Sequence, residues 1–174
     1  MINNHDLSLL LAYCLCGDYT KGEQVTKPNK EKWLKQIQDI VDWAAGKNYQ
    51  VKFATDEEDR LCFESKTIFI NSRSHPETKY YTLLHEAGHL LISRAWKAFD
   101  KAMPMYASSS DGRKERGKAY LVSLVAEEIE AWKRGRRLSS KLGHYIDDEK
   151  YDQHITNNVA TYITYAADCI EGRS

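Results

Sequence analysis

Hydrophobic positions along this chain fall into helical spacing nearly everywhere outside one short central region. "LSLLLAYCLC" (Leu7 to Cys16) is an apolar run that reads as a buried first helix, and Gly17 to Asn29 reads as a polar loop. From Lys30 to Ala45, Trp33, Leu34, Ile37, Ile40, Val41 and Ala44 have the spacing of an amphipathic helix, which Gly46 is placed to end. The period then changes. "YQVKF" (49–53), "LCFES" (61–65) and "TIFINS" (67–72) are rich in β-branched and aromatic residues, and the acidic "TDEED" (55–59) reads as a turn. A small three-stranded sheet, antiparallel or mixed, is expected there.

Helical spacing then resumes. Ser74 with Glu77 three residues on predicts a capping box, and Pro76 falls in the first turn of a helix running to about Phe99. "MPMYASSSDGR" (103–113) carries Pro, Gly and three serines and reads as a loop. Lys114 to about Leu142 is a second long helical pattern stopped by Gly143. Asp147, Asp148 and Glu149 suit a helix N-terminus, and Ile155, Val159, Ile163, Ala166 and Ile170 mark a last helix. The order predicts an α+β fold, mostly helical, whose small sheet packs on the helix beginning near Ser74. With 174 residues, a single domain over 1–174 is expected.

Composition narrows the class. Apolar residues make up 42% and charged residues 29%, as in soluble globular proteins. Lys+Arg and Asp+Glu balance at 25 each, so neither a nucleic-acid partner nor an anionic membrane is expected. "KRGRR" (133–137) reads as a solvated helix face. No basic region precedes Leu7 to Cys16, and Asp6 sits just ahead of it, so neither a signal peptide nor a membrane span is expected. Cys14, Cys16, Cys62 and Cys169 lie among apolar neighbours without regular spacing, which suits reduced thiols in the cytoplasm.

The chemistry lies in "YTLLHEAGHLLI" (81–92). Residues four apart on a helix point the same way, so His85 and His89 can each place a ring nitrogen on one ion at about 2.0–2.1 Å. Glu86 projects from nearly the same side, suited to take a proton from a water that zinc acidifies for attack on a carbonyl. Two histidines leave a catalytic zinc one protein ligand short. No third histidine follows at close spacing, but "AEEIEAW" (126–132) offers Glu127, Glu128 and Glu130. Leu121, Leu124, Val125, Ala131, Trp132, Gly135 and Leu138 form an apolar stripe with Glu128 in its middle. An unpaired carboxylate there is costly, and a metal explains it. Glu127, at the stripe's edge, is the alternative ligand, and Glu130 suits solvent.

With these residues placed, the chain resembles a gluzincin-type zinc metallopeptidase, and most of all the small ImmA/IrrE-like proteins, in a phage or prophage branch. The likeness rests on "TIFINSRSHPETKYYTLLHEAGHLL" (67–91) and "EEIEAW" (127–132). It departs from the family after the glutamates: "EAWKRGRRLSSKLG" stands where Asn or Asp after Ala and a Leu-Leu-x-Pro ending are usual. The resemblance implies one zinc per chain on His85, His89 and a glutamate, with Glu86 as general base. It implies a protein or peptide substrate in a bacterial or phage-infected cell. The segment Thr67, Ile68, Phe69, Ile70 and Asn71 would be the edge strand on which that peptide adds. Candidates for stabilising the oxyanion are Tyr106, His144, Tyr145, His154, Tyr162 and Tyr165. An alternative is a zinc-containing binding or regulatory protein that keeps the scaffold without turnover.

Overall fold

A computed structural model describes residues 28–95, 97 and 117–172, and the expected first helix at Leu7 to Cys16 and the 103–113 loop with Tyr106 lie outside them. Among the described residues the fold is α+β, with four helices and one three-stranded sheet. Helix α1 spans Lys30–Ala45, followed by β1 (Gln50–Ala54), β2 (Arg60–Cys62) and β3 (Thr67–Asn71). Helices α2 (Pro76–Arg94), α3 (Lys118–Lys141) and α4 (Asp148–Glu171) complete it. The Asn29 side chain accepts from the Lys32 amide to start α1, and Asp147 does the same for α4 through the Lys150 amide. Gly143, at φ +67°, takes the left-handed turn that lets the chain leave α3.

The start of α2 differs from expectation. His75, not Ser74, is the N-cap, and its Nδ1 accepts from the Glu77 amide at 3.3 Å. Pro76 occupies the first helical position, so the residue just before it becomes the cap. Glu77 does not turn back to close a capping box. Its carboxylate is buried and accepts from Lys150 Nζ at 2.8 Å and Tyr81 Oη at 3.3 Å, tying α2 to α4.

The sheet order is β1-β3-β2, with β1 parallel and β2 antiparallel to β3. Thr67–Asn71 is therefore the central strand, paired with β1 along its length and with β2 over Thr67–Phe69, and not the edge strand expected for it. Burial supplies the reason. Ile68 and Ile70 are 0% and 1% exposed, and hiding each such side chain is worth about 1.5–3 kcal/mol. The middle of the sheet, against α2, is the place where both can be hidden. β2 is shorter than the expected 61–65, because residues 63–66 turn back with Lys66 at positive φ.

One core joins all four helices to β3. It contains Trp33 and Ile40 from α1, Tyr80, Tyr81 and Leu84 from α2, Trp132 from α3, and Tyr151 and Ile155 from α4. Tyr80, Tyr81 and Tyr151 are fully buried. The "KRGRR" segment also departs from a solvated face. Arg136 is buried, pairs with Asp152 and lies over the Tyr151 ring, while Arg134 Nη1 donates to the Leu91 carbonyl at 2.7 Å.

His144 belongs to a polar chain within this framework. Tyr80 Oη is hydrogen-bonded to Ser139 Oγ at 2.8 Å and to His144 Nδ1 at 2.9 Å, and His144 Nε2 reaches Asp39 Oδ2 at 3.1 Å. The chain links α1, α2 and α3, and burial lowers the His144 pKa. Tyr80→Phe leaves two buried partners short and is expected to cost about 1–3 kcal/mol. Thermal melts should record that loss, with zinc stoichiometry unchanged. An unchanged melting temperature would mean that the chain contributes little.

Candidate metal centre

The site forms where α2 and α3 cross. Glycines let the two backbones touch: a Cβ on Gly88 would lie 2.0 Å from the Ala131 carbonyl oxygen, and one on Gly135 would lie 2.5 Å from that of Leu84. This contact brings Glu128 of α3 against the histidines of α2. Donor atoms of His85, His89 and Glu128 lie within 4.8 Å of one another, and the group can hold a metal ion. His85 and Glu128 are buried and His89 is half-buried.

Three observations fit this donor set to a zinc ion. His85 Nε2 and His89 Nε2 face each other at 3.2 Å. Glu128 Oε2 is 3.2 Å from His85 Nε2, and Oε1 is 3.6 Å from His89 Nε2. A tetrahedral ion with bonds of about 2.0–2.1 Å needs ligand–ligand edges of about 3.3–3.4 Å. The Glu128 oxygen nearest His85 is buried yet lacks the alignment of a hydrogen bond, so the two groups adjoin without satisfying each other.

Electrostatics agrees. Burial opposes charge on His89, but its contact with Glu127 and the nearby carboxylates of Glu128 and Glu86 outweigh it and raise its pKa. Burial likewise opposes charge on Glu128, and its contacts with the two histidines reverse that, lowering its pKa. The carboxylates favour positive charge between the imidazoles, which a divalent cation supplies.

Glu86 is 6% exposed, beside the trio on α2. Burial, aided by the nearby charges of Glu128 and Asp59, raises its pKa above the ordinary carboxylate value, although His85 and His89 pull the other way. Glu127 sits behind His89, its Oε1 3.3 Å from Nδ1. Glu130 is committed to Arg134 and Arg137 at 2.8 Å and 3.0 Å. Trp132, seen from sequence only as part of the stripe, stacks on His85 at 4.3 Å and 22°.

The other sequence candidates divide. The Tyr162 phenol lies near Glu128, and burial together with the charges of Glu128, Glu86 and Glu127 pushes its pKa up. His144 is held by Tyr80 and Asp39, and Tyr145 packs its ring on Trp33. His154 packs edge-on against Tyr81 and lines a separate cavity of about 310 Å³ with His75, Glu77 and Lys150. Tyr165 is 49% exposed.

A mostly helical α+β chain with a buried two-histidine, one-glutamate group has a metallopeptidase-like arrangement. Residues 44–120 match the family model for the IrrE N-terminal-like domain, Peptidase_M78, which supports an ImmA/IrrE-like family for this chain. The match includes the histidines and Glu86 but ends before Glu127 and Glu128, whose place rests on geometry. No curated protein and no solved structure matches. Among the described residues, no helix is long and apolar enough to cross a membrane.

Proposed function

We propose that this protein is a zinc-dependent peptidase that hydrolyses a peptide bond in an intracellular protein. The observation that carries this reading is the gathering of His85, His89 and Glu128 within 4.8 Å, with buried Glu86 on the same turn of α2. The three residues would hold one zinc per chain, which when bound supplies an acidified water and a Lewis acid for the scissile carbonyl.

Glu86 takes the proton of the attacking water and returns it to the leaving amine. Burial beside the proposed ligands, which raises its pKa, suits a group that accepts this proton and then gives it up. Tyr162, half-buried with its phenol near Glu128, is the donor for the developing oxyanion. The substrate strand adds to β2. β2 pairs only with β3 among the described residues, and Asp59, just before it, lies near enough to influence Glu86.

Purified protein is expected to carry one zinc per chain and to generate new termini in a bacterial proteome digest, with both lost to a chelator. Tyr162→Phe should keep the zinc and lower turnover by about 10²-fold. Full zinc loading with no cleavage of any protein or peptide would replace the peptidase reading with a binding or regulatory one.

A further inference from the structure

We infer that Glu127 is a positioning residue that holds His89 in the one tautomer and orientation able to ligate the metal. This inference rests on the zinc site proposed above but not on peptidase turnover. Neighbouring residues on a helix point about 100° apart, so Glu127 and Glu128 cannot do the same work. Glu128 reaches the facing Nε2 atoms, while Glu127 passes behind the ring to Nδ1 at 3.3 Å. The two nitrogens of an imidazole diverge, so a carboxylate on Nδ1 stands outside the sphere of an ion on Nε2.

A carboxylate only accepts, so Nδ1 carries the proton and donates it to Glu127 Oε1. In the neutral imidazole that ligates a metal, this leaves the lone pair on Nε2, the nitrogen facing His85 Nε2 at 3.2 Å. The contact is shielded from water, with the His89 and Glu127 side chains only 15% and 12% exposed. It also distinguishes the two histidines. No protein acceptor among the described residues meets His85 Nδ1, and that ring is held by stacking on Trp132. Orientation by a charged hydrogen bond is thus concentrated on His89. The adjacent glutamates divide into a ligand and a residue that orients a ligand.

Zinc affinity, measured by competition with a chromophoric chelator, is the test. Glu127→Ala is expected to keep one zinc per chain but bind it about 10- to 100-fold more weakly. Glu127→Gln retains an acceptor for Nδ1–H and should recover part of that loss, a rescue that a purely structural role would not give. In zinc-loaded wild type, the His89 Nδ1 proton should appear as a slowly exchanging downfield NMR signal, lost in Glu127→Ala and retained in Glu127→Gln. Even if Glu127→Ala folds poorly, the wild-type signal and the near-isosteric Glu127→Gln still decide the matter.

Unchanged affinity in both variants, with the wild type holding one zinc, overturns the inference and leaves the zinc reading standing. Loss of all stoichiometric zinc in folded Glu127→Gln makes Glu127 a ligand and overturns it too. A wild type that binds no zinc removes both readings. Zinc-loaded protein without turnover, but with the expected Glu127 effects, supports the inference while the peptidase reading fails.

Discussion

Glu86→Gln is expected to retain one zinc per chain while lowering peptide cleavage by about 10²–10⁴-fold. The substitution preserves size and removes the charge and the basicity. Zinc should remain because the three proposed ligands are His85, His89 and Glu128, and none of their mutual contacts passes through Glu86. Cleavage should fall because a buried carboxylate with a raised pKa is suited to proton transfer, and an amide cannot replace it. The variant should also be at least as stable as wild type, since burying Glu86 as a charged group opposes folding. Metal analysis, a melting curve and a cleavage assay on one preparation separate these expectations. Wild-type cleavage by Glu86→Gln would remove Glu86 from the mechanism, whereas loss of zinc would make it part of the metal site.

Much of this site was legible because its signals are local. A four-residue histidine spacing fixes which side chains share a helix face, and a single glutamate inside an apolar stripe is conspicuous. The structure gathers those three residues. Glu127 lay at the edge of the same stripe, and its actual contact could not be read there. Periodicity gives an angle around α3, but only the crossing with α2 determines which nitrogen of His89 that angle meets.

The three-stranded sheet is as expected, but the place of Thr67–Asn71 within it was misread for a related reason. Alternation in "TIFINS" identifies a strand without naming its neighbours, and β1 and β2 flank β3 only once the chain has passed from β1 to β2 and back. The apolar face of Ile68 and Ile70 was the one available sign that this strand belongs in the middle. His144 and His154 stood among the oxyanion candidates because nothing near them in sequence announces Asp39, Tyr80 or Tyr81 as partners. Ser74 and His75 are both polar residues ahead of Pro76. The proline's place at the first helical position decides between them.

Gly88→Ala should damage both the fold and the metal site, because the position has no free space. The new Cβ would meet the Ala131 carbonyl at 2.0 Å, where contacts under 3.0 Å essentially never occur. The obstacle is backbone, so no side chain can swing aside, and α3 must move by an ångström or more. Overpacking of this kind costs about 1–3 kcal/mol or more. For a chain of this size, a loss of about 3 kcal/mol lowers the melting temperature by roughly 6–12 °C. Gly88 lies between His85 and His89, and Ala131 is one turn from Glu128, so the same displacement separates the carboxylate from the imidazoles. Zinc affinity should therefore fall by more than the stability loss alone would bring. Gly135→Ala provides the comparison. Its Cβ would meet the Leu84 carbonyl at 2.5 Å, further from Glu128 along α3, so it should cost stability with a smaller effect on zinc. Equal zinc loss in the two variants would mean that global loosening governs affinity. Wild-type melting and zinc binding in Gly88→Ala would show that the close crossing does not set the site.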